Sequence, residues 1–296
     1  MGLRCLTAMH ETRSSEIVSI ITFDDRSDTR HVFQELHCFG EQQRIPVVVT
    51  HVAADLKVAV RAAEPELAIV CGWYSMIGAD IRAAVRRGFI GVHNSLLPRY
   101  RGAAPLVWAM LRGEREVGLS MYTLTSGMDD GDVWAQTSTP VGPDEYIGDV
   151  LTRLEDACDE MIRRVYPRIV NDEVTPVPQD ASKATYGTLR HRDHGWIQWR
   201  DPAERIQRWI RAQSRPYPGA FTSCDGRRLT IWKAHLFPSL YYGRPGEVVR
   251  GPAGETMVIC GDDRALVIDE MQMDDGDIAV TMEAIRPRVV LGVHPS

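Results

Sequence analysis

The sequence predicts an α/β fold: a Rossmann-like, mostly parallel sheet with helices on both faces, followed by a small C-terminal β-barrel-like domain. Three observations carry this. Through residue 165, short β-branched runs alternate with segments of helical apolar period, the pattern of a covered parallel sheet. Gly, Pro and Asp close the strand-like runs, where an open α/β sheet presents its chemistry. Beyond Pro216 the pattern turns to short strands around Asp225-Gly226, a two-residue hairpin signal. The expected boundaries are 1–180 for the α/β domain, 181–214 for a linker and helix, and 215–296 for the all-β domain. At 296 residues the chain has length for two cores.

Residues 3–10 read as a short helix, with Leu3, Leu6 and Met9 on one side. Residues 16–22 form a strand-like run ended by Asp24-Asp25. A helix is expected over 29–43, a strand over 46–49, a helix over 56–63 and, after Glu64-Pro65, a strand over 67–71. Helix 79–87 leads to strand 88–93, helix 104–111 to strand 118–125, and 133–139 gives a further strand. Residues 149–165 are strongly amphipathic, with Val150, Leu154, Cys158, Met161 and Val165 sharing one side. The Pro-rich stretch from Pro167 to Pro178 then marks a linker. Asp201-Pro202 opens another helix, with a carboxylate at the N-cap and proline at the first helical position; Ile206, Trp209 and Ile210 are its apolar stripe. Strands follow over 221–223, 229–233, 247–249, 256–260 and 265–269.

A formal charge of −6 excludes a generally basic nucleic-acid surface, although a local patch fits within an acidic total. Of the 34 basic residues only Lys57, Lys183 and Lys233 are lysines; arginine suits phosphate, but a GC-rich genome gives the same bias. The six cysteines are scattered without a C-x-x-C pair, so reduced thiols are expected and no metal site. No run approaches the roughly 18 apolar residues of a membrane span, and a signal-peptide core is not expected. A cytoplasmic protein with no membrane partner is the expectation.

Gly91-Val92-His93-Asn94-Ser95-Leu96-Leu97-Pro98 and Gly127-Met128-Asp129-Asp130-Gly131-Asp132 each follow a strand-like run. An imidazole and a carboxylate delivered to one crevice make a proton acceptor: the acid orients the ring and stabilises its charged form. His93 and Asp129 are therefore the candidate catalytic pair, with Asp132 the next carboxylate in order. Each has a bland competitor. A lone strand-end histidine is more often structural, and Asp129, Asp130 and Asp132 also read as a solvated turn or a weak cation site. Trp73 and Tyr74 read as core aromatics or as a ligand slot, and Arg99 and Arg101 as loop charges or as contacts to the anionic groups of a ligand. His191 and His194 read as surface residues. No G-x-G-x-x-G follows a strand, which argues against a nicotinamide dehydrogenase.

The run His93-Asn94-Ser95-Leu96-Leu97-Pro98-Arg99-Tyr100-Arg101-Gly102-Ala103-Ala104-Pro105, with Ser126-Gly127-Met128-Asp129-Asp130-Gly131-Asp132 at the matching distance, resembles the 10-formyltetrahydrofolate-dependent formyltransferases, of the methionyl-tRNA and sugar N-formyltransferase type. Ala184-Thr185-Tyr186, Gly195-Trp196-Ile197-Gln198-Trp199, Ile210-Arg211-Ala212 and Pro216-Tyr217-Pro218-Gly219-Ala220-Phe221-Thr222 resemble the linker and C-terminal domain of two-domain members. The resemblance covers nearly the whole chain. It implies that 1–180 is the formyltransferase catalytic domain, His93 its catalytic histidine, Asp129 the partner acid and 10-formyltetrahydrofolate the cosubstrate, with no metal. The folate is then expected between Trp73, Tyr74, Ser75, Met76 and Ile77 on one side and Ser126, Gly127 and Met128 on the other. An attacking amine loses a proton and the formyl oxygen becomes an oxyanion, so the site needs an acceptor and a donor.

Two departures from that resemblance matter. Members usually carry an asparagine two residues before the histidine; here that residue is Gly91, and either Asn94 is the replacement donor, or a backbone N–H or water substitutes, or the enzyme is slow. Members also open with a strand, whereas this sequence opens on the helix that follows it. A missing first strand leaves two neighbours unpaired, and a start codon placed too far downstream is the expected cause. The loop after the second strand is usually basic in the initiator-tRNA enzymes. Here it reads Thr22-Phe23-Asp24-Asp25-Arg26-Ser27-Asp28-Thr29-Arg30, ill suited to tRNA phosphate. The expected acceptor is therefore a primary amine of a small molecule, an amino-sugar nucleotide or an amino-acid-derived amine. Alternatives are methionyl-tRNA, water in a formyltetrahydrofolate hydrolase, and an inactive folate-binding relative. A homodimer is compatible with the sequence.

Overall fold

The computed structural model describes residues 1–13, 16–24, 26, 31–73, 75–273 and 287–292. In chain order its elements are α1 (Gly2–Arg13), β1 (Ile20–Phe23), α2 (Phe33–Gln43), β2 (Val47–Thr50), α3 (Ala53–Ala63), β3 (Ala68–Cys71), α4 (Ala79–Arg82), β4 (Phe89–His93), β5 (Arg101–Gly102), α5 (Pro105–Arg112), β6 (Glu116–Thr123), β7 (Val133–Pro140), α6 (Ile147–Val170), β8 (Tyr186–Gly187), α7 (Ala203–Arg211), β9 (Ala220–Cys224), β10 (Arg227–Leu236), β11 (Val248–Arg250), β12 (Thr256–Ile259) and β13 (Ala265–Met273). The chain divides into two compact units. Met1–Leu106, Arg115–Val141 and Val150–Leu189 form the first; Val107–Glu114, Gly142–Asp149 and Arg190–Ser296 form the second.

In the first unit the β-branched runs become parallel strands, because such side chains fit a pleated surface covered on both faces. β1 pairs with β2, from Ile20 opposite Val47 to Phe23 opposite Thr50. β3 pairs in parallel with β4, and the sheet continues antiparallel through β6 to β7. Among the described residues no ladder joins β1 to β3. β1 and β3 thus each present a free edge among the described residues. Apolar packing links them instead: Ile21 and Val70 both pack on the cluster of Leu56, Val60, Ile77, Ile81, Val85 and Phe89. The Phe23 and Trp73 rings meet edge to face, with centroids 5.3 Å apart.

Several elements differ from expectation: the strand expected over 16–22 is confined to Ile20–Phe23, and the helix expected over 56–63 begins at Ala53. The predicted helix 29–43 is observed from Phe33, residues 27–30 lying outside the described set. The predicted helix 79–87 ends at Arg82, and the chain turns through tighter bonds from Ala84 N to Ile81 O (3.0 Å) and Val85 N to Arg82 O (3.3 Å). This still buries Ile81 and Val85 while letting Arg87 N reach Glu66 O at 2.8 Å, which feeds the chain into β4. α6 does not stop before Pro167 but runs to Val170. A proline so near a C-terminus removes one intrahelical bond. The last turn is held by the fully buried Ile169 and by Arg87, whose guanidinium donates to the carbonyls of Ile169 (2.5 Å) and Val170 (3.0 Å). The predicted α6 stripe of Val150, Leu154, Cys158, Met161 and Val165 is buried throughout. Cys5 Sγ lies 3.2 Å from Cys158 Sγ and 3.6 Å from Cys71 Sγ, all three as free thiols, while Cys38 is exposed.

In the second unit β11, β12, β13, β10 and β9 form, in that order, a curled antiparallel sheet. Asp225 (φ 50°) and Gly226 (φ 77°) are both left-handed, as the predicted two-residue hairpin requires. Register shifts between Ile231 and Ala234 bend β10. Arg288 N and Val289 O pair with Val248 at 2.9 Å each, and Gly292 N donates to Ser223 O at 2.9 Å, so residues 288–292 tie β11 to β9 across the open side of the half-barrel. α7 begins at Ala203, one residue later than expected. Its first N–H donates to Asp262 Oδ1 at 3.1 Å, whereas Asp201 faces Arg205 at 3.4 Å instead of capping. Ile206 and Ile210 enter the core with Trp199, Leu229, Ile231 and Leu266. No helix among the described residues is long and apolar enough to cross a membrane.

Leu154 is fully buried on α6. Its replacement by alanine should cost about 2–5 kcal/mol, read as a lowered urea midpoint at constant slope.

Candidate active site

β4 is buried through Phe89-Ile90-Gly91, and pairing with β3 and β6 carries the chain to His93 at the strand's C-terminal end. The ring is 10% exposed. Its Nε2 lies 2.9 Å from the carbonyl oxygen of Tyr100, a group that only accepts, so the neutral ring carries its proton on Nε2 and presents a bare Nδ1. Nδ1 faces Asp129 Oδ2 at 3.7 Å. That is too long for a hydrogen bond, but a proton taken up at Nδ1 finds an anion beside it. The turn after His93 is pinned from the sheet. Ser120 Oγ accepts from Leu97 N at 3.0 Å and donates to Ser95 O at 2.6 Å, and Gln136 Nε2 donates to Leu97 O at 2.9 Å.

Asp129 has φ 48°, in the left-handed region, which costs a non-glycine residue roughly 1–2 kcal/mol. Its Oδ2 accepts from Gly102 N at 2.6 Å, its Oδ1 accepts from the Tyr122 hydroxyl, and its carbonyl accepts from Gln179 Nε2 at 2.8 Å. One hydrogen bond to a charged group contributes about 1.5–3 kcal/mol, so these bonds outweigh the backbone strain. Gly102 has φ 92°, and a Cβ there would lie 2.6 Å from Gly187 O; only glycine lets the N–H reach the carboxylate.

Arg101 is not a solvated loop charge. It is 5% exposed, and its guanidinium donates to Gln179 Oε1 at 2.8 and 3.2 Å and to the Tyr186 hydroxyl at 3.3 Å. The parallel pairing of β5 with β8 brings these groups together. The buried cation thus orients Gln179, which holds the Asp129 loop. Arg99 is exposed.

Trp73 is half-buried, and its indole Nε1 is buried without a partner among the described residues. Trp73 and Leu124 pack on one cluster, which brings the two predicted walls of the folate slot onto a common base. Tyr74 lies outside the described residues. Ser75, Met76, Ser126 and Met128 are exposed and Gly127 is half-buried. Ile77 is 5% exposed within the core cluster and its carbonyl accepts from Arg82, so its side chain packs the interior. A cavity of about 290 Å³ lies against the second wall alone, lined by Thr123, Thr125, Ser126, Asp130, Gly131 and Asp132. Asn94 is half-buried, one residue past β4. Asp130 accepts from the Thr125 hydroxyl, leaving Asp129 as the acid that meets His93. Among the described residues no group of three or more His, Cys, Asp or Glu could hold a metal ion.

Sequence reasoning missed Tyr122, Gln179 and the internal role of Arg101. Ser120 and Tyr122 are polar at period two within a buried strand, so both share the face turned to the 93–102 loop; that alternation is the signal for Tyr122. Gln179 has no local signal. The resulting group offers an imidazole with a bare nitrogen, an anion to receive the charge it gains, and fixed donors around that anion. It can take a proton from an incoming nucleophile and return it to a leaving group.

Residues 10–166 match the family described as formyl transferase, and residues 191–286 that described as formyl transferase, C-terminal domain. Methionyl-tRNA formyltransferase of Sorangium cellulosum (strain So ce56) is 36% identical over 204 residues, covering 68% of this chain and 65% of that protein, just under two thirds of its length. Methionyl-tRNA formyltransferase of Anaeromyxobacter dehalogenans (strain 2CP-1 / ATCC BAA-258) is 33% identical over 234 residues, covering 78% of this chain and 75% of that protein. The solved N-formyltransferase from Helicobacter canadensis, in complex with folinic acid and dTDP-3-aminofucose, shares the fold at a TM-score of 0.67 and 16% identity, covering 90% of this chain and 94% of that one. With both regions matched and a relative one third identical over most of its length, this chain belongs to the formyltransferase family.

Proposed function

We propose that this chain transfers a formyl group from 10-formyltetrahydrofolate to the α-amino group of methionyl-tRNA. The bare Nδ1 of His93 facing Asp129 carries the chemistry. The acceptor is supported by the two methionyl-tRNA formyltransferases that are 36% and 33% identical, against the small-molecule preference drawn from the sequence. The amine nitrogen attacks the formyl carbon and gives its proton to His93 Nδ1, and the imidazolium is stabilised by Asp129. The formyl oxygen takes up the negative charge of the tetrahedral intermediate, with the Asn94 amide as its donor. Collapse breaks the bond from carbon to folate N10; the imidazolium returns its proton to that nitrogen, releasing tetrahydrofolate and the formamide.

The folate is held between Trp73, Tyr74, Ser75, Met76 and Ile77 and the segment Ser126, Gly127 and Met128. Met76 (75% exposed) and Met128 (56% exposed) offer adaptable apolar surface to a flat ring, and Trp73 Nε1 offers an unused donor. Ile77 contributes through its backbone. Residues 1–180 are assigned to catalysis, 181–214 to the connection and 215–296 to an accessory β domain. A second acceptor, an amino-sugar nucleotide or other small amine, is favoured by the acidic segment that begins where β1 ends at Phe23, with Asp24 already paired to Arg26 at 2.5 Å.

His93→Asn and Asp129→Asn should each lower kcat by about 10²–10⁴-fold with the fold retained by circular dichroism; near-normal turnover in either removes the pair from the mechanism. Asn94→Ala should cost about 10²–10³-fold, and unchanged turnover eliminates Asn94 as the donor. Tetrahydrofolate release, followed with each acceptor in turn, should require methionyl-tRNA and weaken steeply with added salt. Turnover confined to amino-sugar nucleotides selects the second reading, and release without any amine marks a hydrolase.

A further inference from the structure

The antiparallel register of β4 and β6 sets Gly91 opposite Tyr122. Gly91 is not left-handed, so its backbone conformation does not demand glycine. Space does. A Cβ at residue 91 would lie 2.7 Å from Tyr122 Cε1, 3.1 Å from its Cζ and 2.6 Å from Leu124 Cδ1. The phenol ring fills the room that a side chain at 91 would need. From there it meets the His93 ring edge to face, with centroids 6.1 Å apart, and its hydroxyl donates to Asp129 Oδ1. Tyr122 is only 8% exposed. Burial first, and the Asp129 charge second, push its acidity well above the ordinary phenol range, so it remains a donor at any working pH.

The terminal torsion of an aspartate is soft, so a single donor on one oxygen leaves the carboxylate plane free to turn. Here Gly102 N holds Oδ2 and Tyr122 holds Oδ1. We infer that Tyr122 is a positioning residue of this active site: its hydroxyl fixes the Asp129 carboxylate with Oδ2 toward His93, and its ring can occupy that place only because residue 91 is glycine. The inference rests on His93 and Asp129 being the proton-handling pair. Gly91 and Tyr122 are then one coupled choice.

Tyr122→Phe in the full chain keeps the ring and removes the hydroxyl. With methionyl-tRNA as acceptor, kcat should fall roughly 10- to 100-fold while KM for 10-formyltetrahydrofolate and the melting temperature stay near native values. With no substrate present, the ¹³C chemical shift of the Asp129 carboxyl should differ from that of the native chain, because one of its oxygens has lost its donor. Gly91→Ala should lower the melting temperature, and adding Tyr122→Leu should restore it without restoring kcat. A Tyr122→Phe enzyme with native kcat and a native Asp129 carboxyl ¹³C shift overturns the inference, as does a rise in KM at unchanged kcat. A fully stable Gly91→Ala single variant overturns the steric coupling. His93→Asn assayed alongside separates the two claims: turnover kept there defeats the proton pair itself, whereas turnover lost there beside a native Tyr122→Phe defeats only the role of Tyr122.

Discussion

The carboxylate of Asp129 draws three distant stretches of chain into one site. Gly102 N reaches one of its oxygens, Tyr122 the other, and Gln179 the backbone carbonyl of the same residue. The contacts of Gly102 and Gln179 span 27 and 50 residues, and each depends on a further one. Gly102 can approach because β5 runs beside β8 and Gly102 lacks a Cβ. Gln179 is oriented because Arg101, buried at 5% exposure, occupies its oxygen. A left-handed aspartate is tolerable only inside such a frame, since its strain is smaller than the bonds it permits.

The broken sheet leaves this frame intact. β4 retains both neighbours, β3 and β6, so the strand that delivers His93 is fully paired. Among the described residues the free edge lies one strand away, at β3, and Ile21, Val70 and Phe89 share one apolar cluster there. Hydrogen bonds along a strand are directional and hydrophobic contacts are not. A cluster can therefore hold two sheets together without fixing their register. Trp73, with its unused indole N–H, stands beside that edge against Phe23.

Much of the fold was legible because burial is periodic. The α6 stripe and the Asp225-Gly226 turn were found where apolar spacing and backbone sterics put them. α4 was overextended because tight turns can bury Ile81 and Val85 as well as a helix can. Pro167 was read as a stop because its cost is judged locally, whereas Ile169 and Arg87 repay it from elsewhere in the fold. Of the site, His93 and Asp129 were legible as polar residues in punctuated loops. The burial of Arg101 was not legible because a charge beside glycine looks solvated until its partner is known, and that partner lies 78 residues away.

The order of apolar and polar residues by itself determined the strands and helices, the hairpin of the β domain, and the identity of an imidazole and an acid at loop starts. Only the tertiary structure decided that Nδ1, not Nε2, is the bare nitrogen, that Tyr122 and Gln179 hold the acid, and that Arg101 is internal. Periodicity is a property of neighbours along the chain. A hydrogen bond between residues dozens of positions apart depends on distances that no local pattern carries.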